Sequence, residues 1–250
     1  MIDAAPSAVP ARGEPGDERL SAAPAGRCYR CCKPALLCVC ERIEVVANRT
    51  RVSILQHPRE RLHPLGTARI AALGLARASL LIPRDVANRS LAVPPITTAR
   101  AGLLYPSPDA TALESLAPDA MPHGLIVLDG TWSQTRGLYR ENPWLAGLPH
   151  YALSPARPSR YRIRRAPRPS YVSTVEAIVA ALRLIEPETE RLGHLLAIFD
   201  AMIDDQIAHA AVHRRPRRPE RKLARRAGNA QTHAEAKARR AKRVRRGSHA

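Results

Sequence analysis

The stretch GLIVLDGTWSQTR, residues 124–136, determines which fold class this sequence favours. Its four consecutive aliphatic residues, 125–128, are typical of a strand that is buried on both faces. An Asp-Gly step ends the strand, and the polar segment that follows is compatible with a helix. Asp129, Thr131 and Trp132 would then lie together at the carboxyl end of a parallel strand, the edge where open α/β sheets bind ligands. Alternatively, Asp129 or Thr131 only caps the helix, but the neighbouring Trp, one of two in the chain, favours a site.

Strand and helix patterns alternate on both sides of this stretch. A Ser173-Thr174-Val175-Glu176 capping box marks the start of a late helix. Apolar runs predict strands at residues 52–56, 79–82, 101–105 and 151–153, and periodic segments predict helices at 67–77, 175–185 and 189–213. This alternation implies an α/β fold with a mainly parallel sheet and helices on both faces.

The 250 residues are enough for one α/β domain with additional segments. Residues 1–26 are rich in Ala, Pro and Gly and are expected to be disordered. Residues 27–50 hold all five cysteines, 51–213 form the main domain, and 214–250 form a basic tail, disordered or helical. No apolar run approaches the roughly 18 residues of a membrane span, and no secretory signal is recognisable. We therefore expect a cytoplasmic protein without membrane contact, and no obligate protein partner is evident.

Positive charge is concentrated in two regions of the sequence. The tail carries fifteen Lys and Arg against two Glu, which leaves only +5 of the net +18 for the rest of the chain. Such a tail attracts RNA or merely aids solubility as a solvated segment. Residues 154–171 hold six Arg around Tyr161, a pattern that suits phosphate contact with base stacking, or an irregular surface loop. The Arg residues of this loop that we expect to contact RNA are Arg160, Arg164 and Arg165.

The cysteines form two close pairs, Cys28/Cys31 and Cys38/Cys40. Two such pairs separated by a short turn suit one tetrahedral zinc ion, and a closed all-sulfur site would be structural. Disulfides are the competing interpretation, but they are rare in the reducing cytosol, and a redox pair is less compatible with two adjacent pairs. Cys32 could replace Cys31 as a ligand, although Cys31 gives the commoner spacing.

Together these motifs resemble the DTW-domain family, the tRNA-uridine aminocarboxypropyltransferases. The resemblance covers about residues 27–210 and depends on four motifs that occur in the family's order. They are the two cysteine pairs, Gln56-His57-Pro58-Arg59-Glu60 with Thr67-Ala68-Arg69, Asp129-Gly130-Thr131-Trp132, and Ser173-Thr174-Val175-Glu176-Ala177.

The resemblance implies a SPOUT-like fold, possibly knotted, that binds S-adenosylmethionine. It also implies that the 3-amino-3-carboxypropyl group is transferred to N3 of a tRNA uridine and that methylthioadenosine is released. The alternatives are a SPOUT-like RNA methyltransferase and a zinc-containing RNA-binding protein without catalysis.

The resemblance also assigns expected roles to individual residues. Asp129 is the candidate base for the N3 proton, or instead holds the amino group of the cofactor, and both roles stay open. Trp132 would face the sulfonium or simply pack in the core, and Thr131 would bond locally beside it. Four further residues are expected at the cofactor: Leu104 and Tyr105 along the adenosine, Ser173 and Thr174 at its carboxylate. The residues expected to meet the target nucleotide are His57, Glu60, Thr67 and Arg69. Alternatively, His57 has only a local turn role before a proline, and Arg69 lies on a solvated helix face.

Overall fold

The computed structural model describes residues 26–83, 90–96, 99–154, 158–163 and 171–212. The expectations about the amino-terminal segment, about Arg164 and Arg165, and about the basic tail lie outside these residues. The chain divides into a compact unit, Met1–Ala208, and a second unit, His209–Ala250, of which only the last residues of a helix are described.

The described residues form a six-stranded sheet and four α-helices. The strands are β1 (Arg51–Gln56), β2 (Ala78–Leu81), β3 (Ala101–Leu104), β4 (Thr111–Ala112), β5 (Gly124–Asp129) and β6 (His150–Ala152). The helices are α1 (Ala68–Gly74), α2 (Trp132–Glu141), α3 (Thr174–Ile185) and α4 (Leu192–Val212). The strand order is β2-β1-β5-β3-β6-β4 and every pairing is parallel, which confirms the predicted α/β class.

Element ends differ from the predictions where the backbone changes conformation. The last predicted helix begins at Leu192 and not at residue 189, because Arg191 has φ 63°, a left-handed conformation that a helix cannot contain. Helix α1 ends at Gly74 because Leu75 forms a bridge with Val46. Strand β4 was not predicted, since two residues are too few to show an alternating pattern.

Alternating residues of the central strand β5 pack on opposite faces of the sheet. Leu125 and Val127 belong to a core that contains residues of α1, α3 and α4. Ile126 and Leu128 belong to a second core with Leu138 of α2. All six residues of β5 are buried, as predicted for a strand covered on both faces. The prediction of helices on both faces is therefore confirmed.

The register of the sheet places Asp129 at the centre of the carboxyl edge. Gln56 at the end of β1 lies opposite Asp129 at the end of β5, and Leu104 at the end of β3 lies opposite Val127. The carboxyl ends of these three neighbouring strands therefore meet, with Asp129 between its partners. No helix in the described part of the chain is long and apolar enough to cross a membrane.

Gly102 of β3 is required by the close approach of Tyr151. A Cβ atom at this position would overlap the Tyr151 ring. We expect Gly102→Ala to displace the ring and to lower the free energy of unfolding by about 1–3 kcal/mol. Chemical denaturation would measure this, with Gly147→Ala as the control because a Cβ there meets nothing within 4 Å. Equal stability of the two variants would contradict the prediction.

Candidate active site

Asp129 is a buried carboxylate that two other elements hold in place. Only 6% of the surface of this residue is exposed to solvent. The Gln56 side-chain amide donates to Oδ2 at 2.9 Å, and the Thr174 hydroxyl donates to Oδ1 at 2.6 Å. Strand β1 and the first residue of α3 thus fix the carboxylate from two sides. Sequence reasoning missed Gln56 as a site residue, although its position at the end of a predicted strand was available as a signal.

Thr131, and not Asp129, is the residue that caps α2. The Thr131 backbone N–H donates to Oε1 of Gln134 at 2.5 Å, and its hydroxyl lies 3.2 Å from that of Ser133. These are local bonds, as expected for Thr131. Because the cap is provided by Thr131, Asp129 is available for a different role.

Two neighbouring cavities lie at the carboxyl edge of the sheet, and Asp129 lines the larger one. The larger has a volume of about 430 Å³ and the smaller about 240 Å³. Both are lined by Trp132, Tyr171 and Thr174, so they form two halves of one cleft. The Trp132 and Tyr171 rings lie between the halves with centroids 4.3 Å apart. Tyr171 was missed as a site residue because the sequence placed it only at the end of the Arg-rich loop.

The smaller half of the cleft is mainly apolar. Leu104 and Tyr105 line it, together with Leu153 and the shared Trp132 and Thr174. The Tyr105 ring stacks on another tyrosine, Tyr139, with centroids 5.1 Å apart, and burial raises the pKa of its phenol. Tyr105 is therefore a neutral, fixed aromatic wall at neutral pH. The residues expected beside an adenosine are thus gathered in this half.

The larger half carries most of the polar groups. Glu60, Thr67, Asp129 and Ser173 line it, so two residues expected at the target nucleotide lie here beside the central carboxylate. Thr67 is 4% exposed, and its hydroxyl accepts from the Val175 N–H at 3.4 Å, which fixes α1 against α3.

The capping box at the start of α3 also anchors part of the Arg-rich loop. The Ser173 hydroxyl accepts from the Glu176 N–H, and the Glu176 carboxylate accepts from the Ser173 N–H at 2.7 Å, as predicted for a capping box. The same carboxylate accepts from the Ser159 hydroxyl and the Arg160 N–H, each at 2.7 Å. This anchoring places Ser159 and Tyr161 in the wall of the larger cavity. Ser159 was not assigned to the site from the sequence, and Tyr161 was considered only as a base-stacking residue of the loop.

Three residues expected to contact RNA lie outside both halves of the cleft. The Arg160 guanidinium pairs with Asp200 at 2.8 Å. Arg69 donates to the carbonyl of Arg30 at 3.3 Å, beside the cysteine segment. His57 lines a neighbouring cavity, and its Nδ1 accepts from the Arg59 N–H at 3.2 Å, which is a local turn contact. Burial lowers the pKa of His57, so its ring is neutral at pH 7.

The four cysteines of the two pairs converge on one point. Their Sγ atoms all lie within 4.8 Å of one another, with Cys28 and Cys40 3.6 Å apart and Cys31 and Cys38 3.8 Å apart. Zinc–sulfur bonds of about 2.3 Å at tetrahedral angles would place the sulfurs about 3.8 Å apart. All five cysteines are free thiols, and the Cys32 sulfur instead contacts the carbonyl of Tyr29 at 3.9 Å. The cluster can therefore hold a metal ion, and Cys31 belongs to it.

The cysteine segment also supports the wall of the larger cavity. The buried Lys33 ammonium donates to the carbonyls of Pro64 and Gly66, each at 2.9 Å, and burial lowers the pKa of Lys33 to about 8. Arg27 donates to the carbonyl of Leu62 at 2.9 Å. Because Gly66 lines the larger cavity, the order of this wall depends on the cysteine segment.

Fold and site together define an α/β protein with a cleft at the carboxyl edge of a parallel sheet and a separate cluster of four cysteines. The chain belongs to the DTW domain family, which it matches over residues 25–207. It is 29% identical to tRNA-uridine aminocarboxypropyltransferase 2 of Drosophila melanogaster over 74% of this chain and 77% of that protein. It is 30% identical to the Mus musculus protein of the same name, over 74% of this chain and 64% of that protein.

A plant relative is less similar in sequence, but the match extends over more of that protein's length. The chain is 23% identical to tRNA-uridine aminocarboxypropyltransferase A of Arabidopsis thaliana over 78% of this chain and 85% of that protein. No solved structure matches the chain significantly. The SPOUT likeness and the knot therefore stay predictions.

Proposed function

We propose that this protein is a tRNA-uridine aminocarboxypropyltransferase that uses S-adenosylmethionine as donor. The proposal is supported by the names of its relatives and by one observation above all. This observation is the buried carboxylate of Asp129 in the larger half of the cleft, whose Trp132 and Tyr171 pair also lines the mainly apolar smaller half. Such a cleft suits a donor with an apolar nucleoside end and a charged amino-acid end, and an acceptor base opposite.

The residues of the smaller half fit the nucleoside end of the donor. Leu104 and Tyr105 would pack along the adenosine, and the face of Trp132 would lie against the sulfonium, which an aromatic ring attracts electrostatically. The ring would also shield the methyl carbon, so that the aminocarboxypropyl carbon faces the larger half. Positioning of this kind decides which of the three carbons next to sulfur reacts.

Asp129 is best suited to hold the ammonium of the transferred group. Both of its oxygens accept hydrogen bonds, from Gln56 and Thr174, and these bonds hold the carboxylate in one position. A carboxylate held in one position suits the binding of an ammonium group, because a charge-assisted hydrogen bond needs fixed geometry. Of the two roles considered for Asp129, we therefore choose cofactor binding.

The N3 proton of the uridine then requires another acceptor. Among the described residues that line the larger cavity, the carboxylates are Asp129 and Glu60. The Tyr161 hydroxyl, which also lines it, is less suited to accept a proton, because it donates to the carbonyl of Leu65 at 2.5 Å. We assign Glu60 as the group that accepts the proton. As it does so, N3 forms a bond to the aminocarboxypropyl carbon, and the carbon–sulfur bond breaks with its electron pair on sulfur. The products are the alkylated uridine and methylthioadenosine.

Glu60→Gln is expected to lower kcat about 100-fold or more while leaving the affinity for S-adenosylmethionine unchanged. Glutamine keeps the size of the side chain but cannot take a proton. Single-turnover rates with tRNA and calorimetry with S-adenosylmethionine would separate the two effects. Glu190→Gln, at an exposed position, is the matched control. A variant with the wild-type rate would show that Glu60 is not the acceptor.

The cysteine cluster fits a structural zinc ion. Cys28, Cys31, Cys38 and Cys40 would supply four thiolates and fill a tetrahedral shell, so no open position would remain for a substrate. The ion would stabilise the segment that supports the cavity wall and would take no part in the transfer.

The proposed activity is tested by incubating the purified chain with tRNA and S-adenosylmethionine and digesting the tRNA to nucleosides. Mass spectrometry should find uridine heavier by one aminocarboxypropyl group, in equal amount to methylthioadenosine. Methylated uridine with S-adenosylhomocysteine would indicate the methyltransferase, and tRNA binding without any product would indicate a non-catalytic RNA-binding protein. The predicted cytoplasmic location would be tested separately by cell fractionation.

A further inference from the structure

A third cavity with a basic lining adjoins the cleft. Its volume is about 420 Å³, and Ser133 lines both this cavity and the larger half of the cleft. His57, Arg59, Ser90 and Arg140 also line it, and we call it the basic cavity. Ser133, Gly137 and Arg140 of α2 line the basic cavity, whereas Thr135 of the same helix lines the smaller half of the cleft. The two cavities therefore contact opposite sides of α2.

The charges of the basic cavity favour an anion. Arg59 follows β1 and Arg140 lies in the last turn of α2, and both are exposed. Within the described residues neither guanidinium forms an ion pair. The one acidic residue of the described lining, Glu141, has an oxygen that accepts from the Leu91 N–H at 2.7 Å.

His57 and the two serines add hydrogen-bonding groups without adding charge. Burial and the nearby positive charge of Arg59 lower the pKa of His57, whereas Glu60 and Glu141 raise it by smaller amounts. The ring is therefore a neutral group in this cavity. Two guanidinium groups with neutral hydrogen-bonding groups around them suit a phosphate, which arginine binds through paired N–H groups.

We infer that the basic cavity binds the backbone phosphate next to the target uridine. The inference rests on the proposed function, which places the uridine in the larger half of the cleft. Each nucleotide of an RNA strand is joined covalently to a phosphate on either side, so a uridine in that half brings a phosphate to its rim. Ser133 lies at this rim, between the base and the guanidinium groups of Arg59 and Arg140. The phosphate would fix the base in register, independently of its sequence neighbours.

The test compares two double variants that remove the same charge. Arg59→Gln/Arg140→Gln should weaken tRNA binding at least tenfold at physiological salt and should reduce the slope of log affinity against log salt by about 1. The affinity for S-adenosylmethionine and the melting temperature should not change. Arg51→Gln/Arg77→Gln is the matched control, because these arginines line a cavity at the opposite end of the sheet. An equal loss of tRNA affinity in the control would show that both pairs act only through general electrostatic attraction, and it would overturn the inference.

A modified substrate tests contact with a single phosphate. Once the target uridine is located by mass spectrometry, tRNA is assembled with a neutral methylphosphonate at one adjoining position. This substitution should weaken binding to wild-type protein about as much as the double variant does, and should add nothing when the two are combined. The inference would be contradicted if, at each of the two adjoining positions, the affinity lost through the methylphosphonate simply added to the affinity lost through the double variant. The comparison of the two double variants measures binding without turnover, so it still tests the basic cavity as an anion site if the wild-type protein binds tRNA but does not modify it. That outcome would contradict the proposed function.

Discussion

Asp129→Asn is expected to weaken the binding of S-adenosylmethionine about 100-fold, equivalent to about 2.8 kcal/mol. The asparagine loses the negative charge that attracts the ammonium of the donor. It still fits the site, because its oxygen can accept from the Gln56 amide while the Thr174 hydroxyl turns to accept from the new NH₂ group. Calorimetry at low protein concentration measures the affinity, and thermal unfolding checks that the fold is intact.

The same variant separates the two roles considered for Asp129. Asp119→Asn, which removes an exposed charge at the other end of the sheet, should bind S-adenosylmethionine like the wild type. If Asp129→Asn instead kept full affinity and lost only kcat, the carboxylate would be the base and our assignment of cofactor binding would be wrong. Combined with Glu60→Gln, the result assigns one carboxylate to each reactant.

Cys28→Ser is expected to remove bound metal and to destabilise the protein by more than about 4 kcal/mol. A serine hydroxyl is a poor ligand for zinc, and the three remaining thiolates leave the shell open. The loss should extend to the cleft, because Lys33 and Arg27 of this segment bond to the backbone of residues 62–66. Metal content by atomic spectroscopy and unfolding in urea would measure both effects.

Cys32→Ser provides the control for this experiment. Its sulfur lies outside the four-sulfur cluster and contacts a backbone carbonyl, so one metal ion per chain should remain. Loss of metal from Cys32→Ser but not from Cys31→Ser would show that the ligand set is different. Unchanged stability of Cys28→Ser after complete removal of metal would show that the cluster does not support the fold.

The sequence predicted those parts of the structure that depend on local patterns. Residues 124–129 form the buried central strand because four consecutive aliphatic side chains suit a strand covered on both faces. The Ser173–Glu176 motif caps α3 because its two side chains bond to backbone groups only three residues away. The four cysteines meet because their short spacing leaves few other arrangements.

Other parts of the site depend on contacts between residues distant in the chain. Gln56 donates to Asp129 only because β1 and β5 are neighbours in register, and no local pattern determines that pairing. Tyr171 belongs to the site because its ring lies against that of Trp132, a residue 39 positions earlier in the chain. The ion pair of Arg160 with Asp200 likewise depends on how α4 packs, which the sequence pattern does not specify, and the RNA contact of Arg160 stays a prediction.

The central claim is that the aminocarboxypropyl group, and not the methyl group, leaves the donor. It is tested most directly with two samples of S-adenosylmethionine, one labelled in the carboxyl carbon and one in the methyl carbon. After incubation with the protein and tRNA, we expect the carboxyl label in the tRNA and the methyl label in methylthioadenosine. Methyl label in the tRNA, with the carboxyl label left in S-adenosylhomocysteine, would contradict the account.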